Sequence, residues 1–255
     1  MPHPFFNFQG NAVLSILVFL GTGFLLLAAS AVVLFMLATR RWLLARRFVQ
    51  GGMALAGLYL ATLLVFSFAS HEHVLERNDA KYFCEIDCHL AYSVTDVVKM
   101  AELGAPPSAQ RAHGVFYVVT VKTWFDERTI SPHRGNGLLA PNPRAVWVID
   151  ATGRQYGVSP EGQGALELSG AQSTPLTQAL RPGEAYTTTF VFDLPADIAN
   201  PRLLICETDF VTRLLIGHEN SFFHKKSSFR LVAREMTAAA VPTDLTLQGF
   251  LGRNR

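Results

Sequence analysis

Hydrophobic positions are continuous in the first part of the chain and alternate with polar positions in the rest. Residues 11–39 form an apolar run without a charged side chain, and residues 48–70 form a second long apolar run. Each is long enough to cross the roughly 30 Å core of a bilayer, which takes about 20 residues as a helix. The connection at residues 40–47 is short, so the pattern predicts a hairpin of two antiparallel transmembrane helices.

The charges around these runs predict the orientation of the hairpin. The connection contains four arginines, which are Arg40, Arg41, Arg46 and Arg47. Residues 1–10 contain no arginine. By the positive-inside rule the connection is cytoplasmic, and everything after residue 70 lies on the extracytoplasmic side of a bacterial inner membrane. The first run is not expected to be a signal peptide, because no basic segment precedes it and a second span follows.

After a polar linker at residues 71–81, the alternating pattern predicts β-strands. Tyr82–Val94 places Tyr, Cys, Ile and Leu on one face and Glu, Asp and His on the other, which is typical of a half-buried strand. Residues 159–174 are predicted to be a long loop with at most one short strand. Further strands are expected at residues 115–126, 144–150, 154–158, 185–194, 201–210 and 227–234. About seven strands with turns between them predict an antiparallel, immunoglobulin-like β-sandwich over residues 82–234, followed by a tail at 235–255.

Composition narrows the possible functions. Charged residues make up 16% of the 255-residue chain, against about 25% in a typical soluble protein. The net charge is +2 and no basic run follows a predicted strand, so a nucleic-acid role is not expected. The chain has no G-x-S-x-G or H-E-x-x-H motif and no glycine-rich phosphate loop, so we expect a non-enzymatic protein.

Three segments of the later chain are similar to a known family. They are W-V-I-D-A-T-G-R-Q-Y at 147–156, L-R-P-G-E at 180–184 and T-T-T-F-V-F-D-L-P at 187–195. They resemble the DUF4352-type immunoglobulin-like domains of bacterial exported and membrane-anchored proteins, over roughly Tyr82–Phe210. The matching positions are turn formers and inward-facing aromatics: Asp150, Gly153, Tyr156, Pro182, Gly183, Glu184, Phe190, Phe192 and Pro195. The resemblance implies a fold and not an activity, and the two-helix hairpin is not part of the family pattern.

The cysteines suggest a structural disulfide. The candidates are Cys84, Cys88 and Cys206, and an odd number allows at most one bridge within the chain. If Tyr82–Val94 is extended, Cys84 and Cys88 stand about 13 Å apart, beyond the limit of about 7 Å for the Cα atoms of a disulfide. Cys206 is then the better partner for one of them, unless the strand turns at residues 85–87.

An alternative interpretation makes the cysteine stretch a cofactor site. The pattern C-x-x-x-C-H at 84–89 is one residue longer than the covalent haem motif C-x-x-C-H, in which the histidine is an axial ligand. A membrane hairpin before an outer β-sandwich also resembles subunit II of haem–copper oxidases, but the next copper-ligand position holds Tyr92 instead of histidine. Thiolates and imidazole suit copper or zinc. Cys84, Cys88 and His89, with His218, therefore form the candidate haem or metal site of an electron-transfer protein.

A second polar cluster lies at residues 217–226, G-H-E-N-S-F-F-H-K-K. Loops on a rigid sandwich commonly carry binding residues, so we predict a binding loop; its candidates are His218, Glu219, Asn220, His224 and Lys225. The other interpretation is a solvated turn that Phe222 and Phe223 anchor in the core. The sequence as a whole predicts a membrane-anchored binding or scaffolding module without a cofactor, serving as an accessory subunit of a membrane complex. Its expected partners are the lipid bilayer and other membrane or periplasmic proteins.

Overall fold

Two long apolar helices precede a β-sandwich, as predicted. The computed structural model describes residues 12–83, 89–104, 106–107, 109–129, 134–171 and 173–235. Helix α1 spans Ala12–Ala38 and helix α2 spans Trp42–Phe68, with 27 residues each. At 1.5 Å per residue each helix is about 40 Å long, and both are apolar enough to cross a membrane.

The connection between the helices is shorter than predicted. Helix α2 begins at Trp42, six residues before the expected Phe48, so that Arg46 and Arg47 lie inside its first turns. Leu, Ala and Arg are all good helix formers. A charged boundary of an apolar run therefore does not mark the end of a helix. Arg40 forms the turn itself, with a left-handed φ of 57°.

The rest of the described chain forms ten strands, a third helix and two short 3₁₀ turns, at Glu127–Thr129 and Val211–Leu214. The strands and the helix are β1 (Val74–Leu75), β2 (Lys81–Phe83), β3 (Leu90–Leu103), β4 (Gln110–Phe125), β5 (Arg144–Ile149), β6 (Gln155–Tyr156), α3 (Pro160–Leu168), β7 (Ala185–Leu194), β8 (Arg202–Glu207), β9 (Ser228–Arg230) and β10 (Arg234–Glu235).

The strands form two facing sheets. One has the order β1–β9–β8–β5–β6, and the other has the order β10–β3–β4–β7, with β2 also paired to β3. Strands β3, β4 and β7 pair antiparallel along most of their length and are rich in Val, Phe and Tyr, which suit a pleated sheet. Both sheets contribute side chains to one buried core, which includes Tyr92, Val119, Phe192, Val148, Ile205 and Phe229. Alternate residues of both sheets therefore face inward, as in other β-sandwiches.

Tyr82–Val94 is not a single strand. Strand β2 pairs antiparallel with the start of β3, and Phe83 lies opposite Leu90. The predicted single strand is therefore wrong, because β2 and β3 run in opposite directions. Alternation looks the same in one long strand and in two strands of a hairpin, so periodicity could not distinguish them. The separation inferred for Cys84 and Cys88 assumed one extended strand, so it no longer applies. Both cysteines lie outside the described residues.

The segment predicted to be a long loop contains α3. Ser159 caps this helix by accepting a 3.1 Å hydrogen bond from the Gly162 amide, and Pro160 occupies the first helical turn. Both are standard signals of a helix N-terminus. Ala165 and Leu166 pack with residues of the second sheet in a smaller apolar cluster.

The same segment covers the edge strand β7. The Ser159 amide donates to the Val191 carbonyl at 2.8 Å, and the Thr174 amide donates to the Thr187 carbonyl at 3.2 Å. The side chain of Gln163 also bonds to the β7 backbone. An open ten-residue edge would be a template for pairing with another chain, so this cover protects the sheet.

The chain divides into two compact units. One contains α1, α2 and the segment Glu207–Lys226, which we call the helix-bound loop. The other contains the sandwich, including β1 and Lys81, which were expected in the linker. Lys81 is buried and its Nζ donates to the Ile205 and Ser227 carbonyls, at 3.0 Å each. The division differs from the prediction, which assigned all of residues 82–234 to the sandwich.

Candidate functional site

Two hydroxyl groups of the apolar helices hold the helix-bound loop. Ser15 Oγ in α1 donates to the Ile216 carbonyl at 2.8 Å, and Tyr59 Oη in α2 donates to the Leu214 carbonyl at 2.6 Å. Leu214 ends the 3₁₀ turn of the loop, so its carbonyl continues no regular ladder. Two of the few polar side chains in the apolar runs therefore support the backbone of a distant segment.

The C-terminal end of α2 makes two further contacts with the loop. The Lys225 amide donates to Ser70 Oγ at 2.9 Å. The ring of Phe223 stacks on the ring of Phe68, with centroids 5.7 Å apart and an interplanar angle of 21°. Phe223 is 70% exposed. The prediction that Phe222 and Phe223 anchor a turn in the core is wrong, because both rings are exposed and Phe223 lies against α2.

Asn220 organises the interior of the loop. Its buried side chain donates from Nδ2 to Thr212 Oγ1 at 2.7 Å and to the Asp209 carbonyl at 3.3 Å. Its Oδ1 accepts from Lys226 Nζ at 2.9 Å. These bonds use most of the hydrogen-bonding capacity of the amide. Asn220, predicted as a binding residue, therefore holds the loop together in this structure.

His218 pairs with a carboxylate that the sequence pattern did not single out. Its Nδ1 accepts a 3.0 Å hydrogen bond from the Asn220 amide, and its Nε2 lies 3.5 Å from Glu207 Oε2. Because Nδ1 is an acceptor, the neutral ring carries its proton on Nε2, directed at the carboxylate. Both side chains are largely buried. Glu207 ends β8, and only the fold brings it to His218.

The other predicted loop residues lie closer to the surface. Lys225 is exposed, whereas Glu219 and His224 are half-buried. His224 Nδ1 donates to the Lys225 carbonyl at 2.8 Å. Burial lowers the pKa of His224 from its ordinary value, so the ring is neutral at pH 7. The surface of the loop thus offers a carboxylate, a neutral imidazole and an ammonium group.

His89 lies in the sandwich unit, next to the cysteine stretch. Its Nδ1 is 2.6 Å from Thr129 Oγ1, and the Thr129 hydroxyl gives its single proton to the Asp126 carbonyl at 2.7 Å. Nδ1 must therefore be the donor, which leaves the lone pair of the neutral ring on Nε2. Metal-ligating histidines are commonly fixed in this way by a bond at the other nitrogen. The ring is buried and stacks on Phe125 at 5.5 Å.

Asp126 joins the strand ends around His89. Its carboxylate accepts from Tyr82 Oη at 2.7 Å and from the guanidinium of Arg128 through two bonds of 2.9 Å. The bonds from Arg128 are the main reason why the pKa of Asp126 falls to about 2, although burial opposes the shift. Its amide donates to the His89 carbonyl at 2.8 Å. Asp126 was not predicted, because an aspartate at a strand end carries no distinguishing sequence signal.

The structure describes only some of the predicted cofactor residues. Within the described parts of the chain, no three His, Cys, Asp or Glu side chains converge to hold a metal ion. Cys84 and Cys88 lie outside these parts, and Cys206 is buried in β8. Tyr92, at the position where the copper motif has histidine, belongs to the core and packs edge-on against Phe83 at 5.1 Å. The disulfide, the haem and the metal site stay predictions.

Comparisons with known proteins concern the fold alone. No protein-family model matches the chain, and no curated protein is significantly similar to it. A conserved hypothetical protein from Bacillus anthracis has a similar structure, at 14% identity and a TM-score of 0.37, over 51% of this chain and 89% of that one. A secreted protein from Mycobacterium tuberculosis is similar at 12% identity and a TM-score of 0.38, over 64% and 99%. An uncharacterised β-sandwich protein from Clostridium difficile is similar at 10% identity and a TM-score of 0.35, over 64% and 95%.

Proposed function

We propose that this protein is a non-enzymatic module, anchored in a bacterial inner membrane by α1 and α2, that binds or scaffolds another component of the cell envelope. Its role is that of an accessory subunit of a membrane complex. The observation that supports this most directly is the attachment of the helix-bound loop to the helix pair. Ser15 and Tyr59 donate hydrogen bonds to the loop backbone, and Ser70 accepts one from it. A fixed loop is a suitable binding surface because little conformational entropy is lost when a partner binds.

The proposed orientation rests on charge. Arg40 and Arg41 lie in the connection between the helices, Arg46 and Arg47 lie in the first turns of α2, and α1 contains no charged residue. The positive-inside rule then favours a cytoplasmic turn and an extracytoplasmic sandwich. Ser15 and Tyr59 bond to the loop backbone, which supports an anchoring role for the helices in place of a transport pathway lined by polar groups.

The resemblance to DUF4352-type domains supports the fold and the envelope location in this proposal. Its matching residues have structural duties here. Asp150 Oδ1 accepts from the Thr152 and Arg154 amides at 2.8 and 3.0 Å, which closes the turn between β5 and β6. Gly153 and Gly183 adopt φ values of 84° and 80°, which favour glycine. The resemblance therefore suggests no ligand.

Site-specific photo-crosslinking in native membranes tests the proposed role. A benzophenone amino acid replaces Lys225 in the helix-bound loop of the full-length protein. The control carries it at Leu168, which is 75% exposed in α3. We expect one discrete protein adduct from position 225, competed away by excess crosslinker-free protein, and no such adduct from position 168. The absence of a protein adduct at position 225, or the same adducts at both positions, would contradict the proposal.

The hydrogen bonding of His89 favours a second candidate function. Thr129 fixes Nδ1 of His89 as the donor, so Nε2 has the protonation state of a metal or haem ligand. With Cys84 and Cys88 this residue would serve an electron-transfer protein carrying haem c or copper. Metal analysis and haem absorbance of the purified full-length protein distinguish the two functions. The electron-transfer function predicts a bound group that is lost in His89→Gln and kept in His113→Gln, whereas the scaffold proposal predicts none in either variant.

A further inference from the structure

We infer that the helix-bound loop is itself a membrane element, whose apolar tip enters the lipid beside the hairpin while its basic side chains meet lipid phosphates. The tip consists of Phe210, Val211, Phe222 and Phe223. The occupant of this surface is the bilayer that the helices span. The inference goes beyond the proposed partner binding and does not depend on it.

The position of the loop along α2 is the first feature that favours insertion into the bilayer. Tyr59 lies nine residues before Phe68, the last residue of α2, which corresponds to about 13 Å along a helix. A helix of about 40 Å exceeds a bilayer core of roughly 30 Å by about 10 Å. Even if all of this excess projected on the side of the loop, Tyr59 would still lie within the hydrocarbon. Because Tyr59 bonds to Leu214, the 3₁₀ turn of the loop reaches the hydrocarbon boundary.

The exposed surface of the tip is the second argument. Phe210 is 59% exposed and Val211 is 46% exposed, and Phe210 packs edge-on against Phe222 at 6.3 Å. Phe223 stacks on Phe68, so the aromatic surface continues onto the apolar face of α2. A contiguous exposed apolar patch of this kind marks an interaction surface. Its continuity with a helix long enough to span the bilayer identifies lipid as the partner.

The hydrogen bonds to the loop backbone are the third feature that favours insertion into the bilayer. A non-helical segment at membrane depth must satisfy its carbonyl groups within the protein. The Leu214 and Ile216 carbonyls accept hydroxyl protons from Tyr59 and Ser15. The carbonyl between them, that of Leu215, accepts from Ser221 Oγ. Three consecutive carbonyl groups thus have side-chain donors, as a segment that leaves water requires.

The basic residues of the loop fit the headgroup region. Arg213 is exposed, and its guanidinium lies 6.0 Å from the ring centroid of Phe210. Lys225 is exposed beside Phe223 in sequence. Long basic side chains next to buried apolar groups extend toward the interface and attract anionic phosphates. The preferred bilayer therefore contains anionic phospholipid.

Tryptophan quenching in proteoliposomes tests the insertion of the tip. The full-length protein first receives Trp42→Phe, which removes a native tryptophan from the helices. Phe223→Trp is then added as the first reporter, and Phe210→Trp provides a second reporter. The vesicles contain phosphatidylcholine and phosphatidylglycerol, with or without bromine in the upper acyl chain. Interfacial segments insert about 5–10 Å, so we expect the added emission to fall about twofold with brominated lipid. The control Leu168→Trp should be unaffected.

Two outcomes overturn the inference. One is that neither tip reporter is quenched more than the Leu168→Trp control. The other comes from a test of the headgroup contacts. We expect phosphatidylglycerol to raise the Tm of the full-length protein. The double variant Arg213→Gln with Lys225→Gln should lose most of that increase. The matched variant Arg111→Gln, on β4, should keep it. An equal increase in Tm in the parent protein, the double variant and Arg111→Gln would overturn the inference, because it would show that the loop does not contact the headgroups.

Discussion

The hydroxyl of Tyr59 in α2 donates a 2.6 Å hydrogen bond to the carbonyl of Leu214, 155 residues later in the chain. This bond joins one of the apolar helices to a loop that leaves the sandwich at β8 and returns to it at β9. The helices therefore do more than tether the chain, because they also fix the conformation of the loop that we propose as the binding surface.

Removing this hydroxyl should loosen the loop. Tyr59→Phe keeps the ring, which lies 6.4 Å from Phe19, and deletes only the donor. A hydrogen bond of this kind contributes about 1 kcal/mol, so amide exchange in residues 211–216 should accelerate in the full-length protein. Hydrogen–deuterium exchange with mass spectrometry measures this. Tyr156→Phe, which deletes a hydroxyl in the sandwich, should leave the loop unchanged. Equal exchange in Tyr59→Phe and the parent protein would contradict the assignment.

Two glycines of α3 provide a matched pair for testing its packing. A Cβ at Gly162 would lie 2.5 Å from Val191 Cγ1 and 3.0 Å from Phe116 Cε1. Gly162→Ala should therefore destabilise the protein by about 1–3 kcal/mol through overpacking. Apart from the adjacent residues and the backbone of α3 itself, no described atom lies within 4 Å of a Cβ at Gly164, so Gly164→Ala should stabilise the helix by about 0.5–1 kcal/mol. Thermal unfolding of both variants tests this, and equal shifts would contradict the docking of α3 on the sheet.

Acid stability should depend on Asp126. Its folded pKa of about 2 lies below the unfolded value, so the carboxylate stabilises the fold above pH 4 and loses this contribution as the pH falls toward 2. Asp126→Asn should cost about 2 kcal/mol at pH 7 and weaken the dependence of Tm on pH between about 2 and 4. Thermal unfolding followed by tryptophan fluorescence measures both effects. The exposed carboxylate of Glu167 serves as the control, and Glu167→Gln should show the parent pH profile.

The state of the cysteines can be measured by mass. After alkylation of the unfolded protein without reduction, we expect one alkylated cysteine and a mass two hydrogens short, as a disulfide requires. Covalent haem would add its own mass and leave Cys84 and Cys88 unreactive. Three alkylated thiols would contradict the disulfide and favour a labile metal at Cys84, Cys88 and His89.

Much of the architecture could be predicted because hydrophobic periodicity reports burial directly. Strand β7 occupies the predicted residues 185–194. The two apolar runs form helices because a run of this length has few other ways to satisfy its backbone in lipid. Helix α3 was also predictable, since Ser159 and Pro160 form a cap signal that the polar composition of the segment obscured.

The candidate sites depend on contacts that periodicity does not contain. The polar and apolar residues alternate from β2 to β3 although these strands run antiparallel, so one strand and two paired strands give the same sequence pattern. The pairing of Glu207 with His218 arises because the loop folds back on itself. The bonds from Ser15 and Tyr59 join residues that are more than 150 positions from their partners, and no local pattern predicts them.

We propose that the turn of the hairpin is cytoplasmic and that the chain after residue 70 lies outside the membrane. The most direct test is the enzymatic activity of alkaline phosphatase fused to the C-terminus of the full-length chain, compared with fusions after Arg40, since this enzyme is active only outside the cytoplasm. Fluorescence of green fluorescent protein at the same positions gives the complementary signal. We expect high phosphatase activity at the C-terminus and low activity after Arg40. The reverse pattern would contradict it.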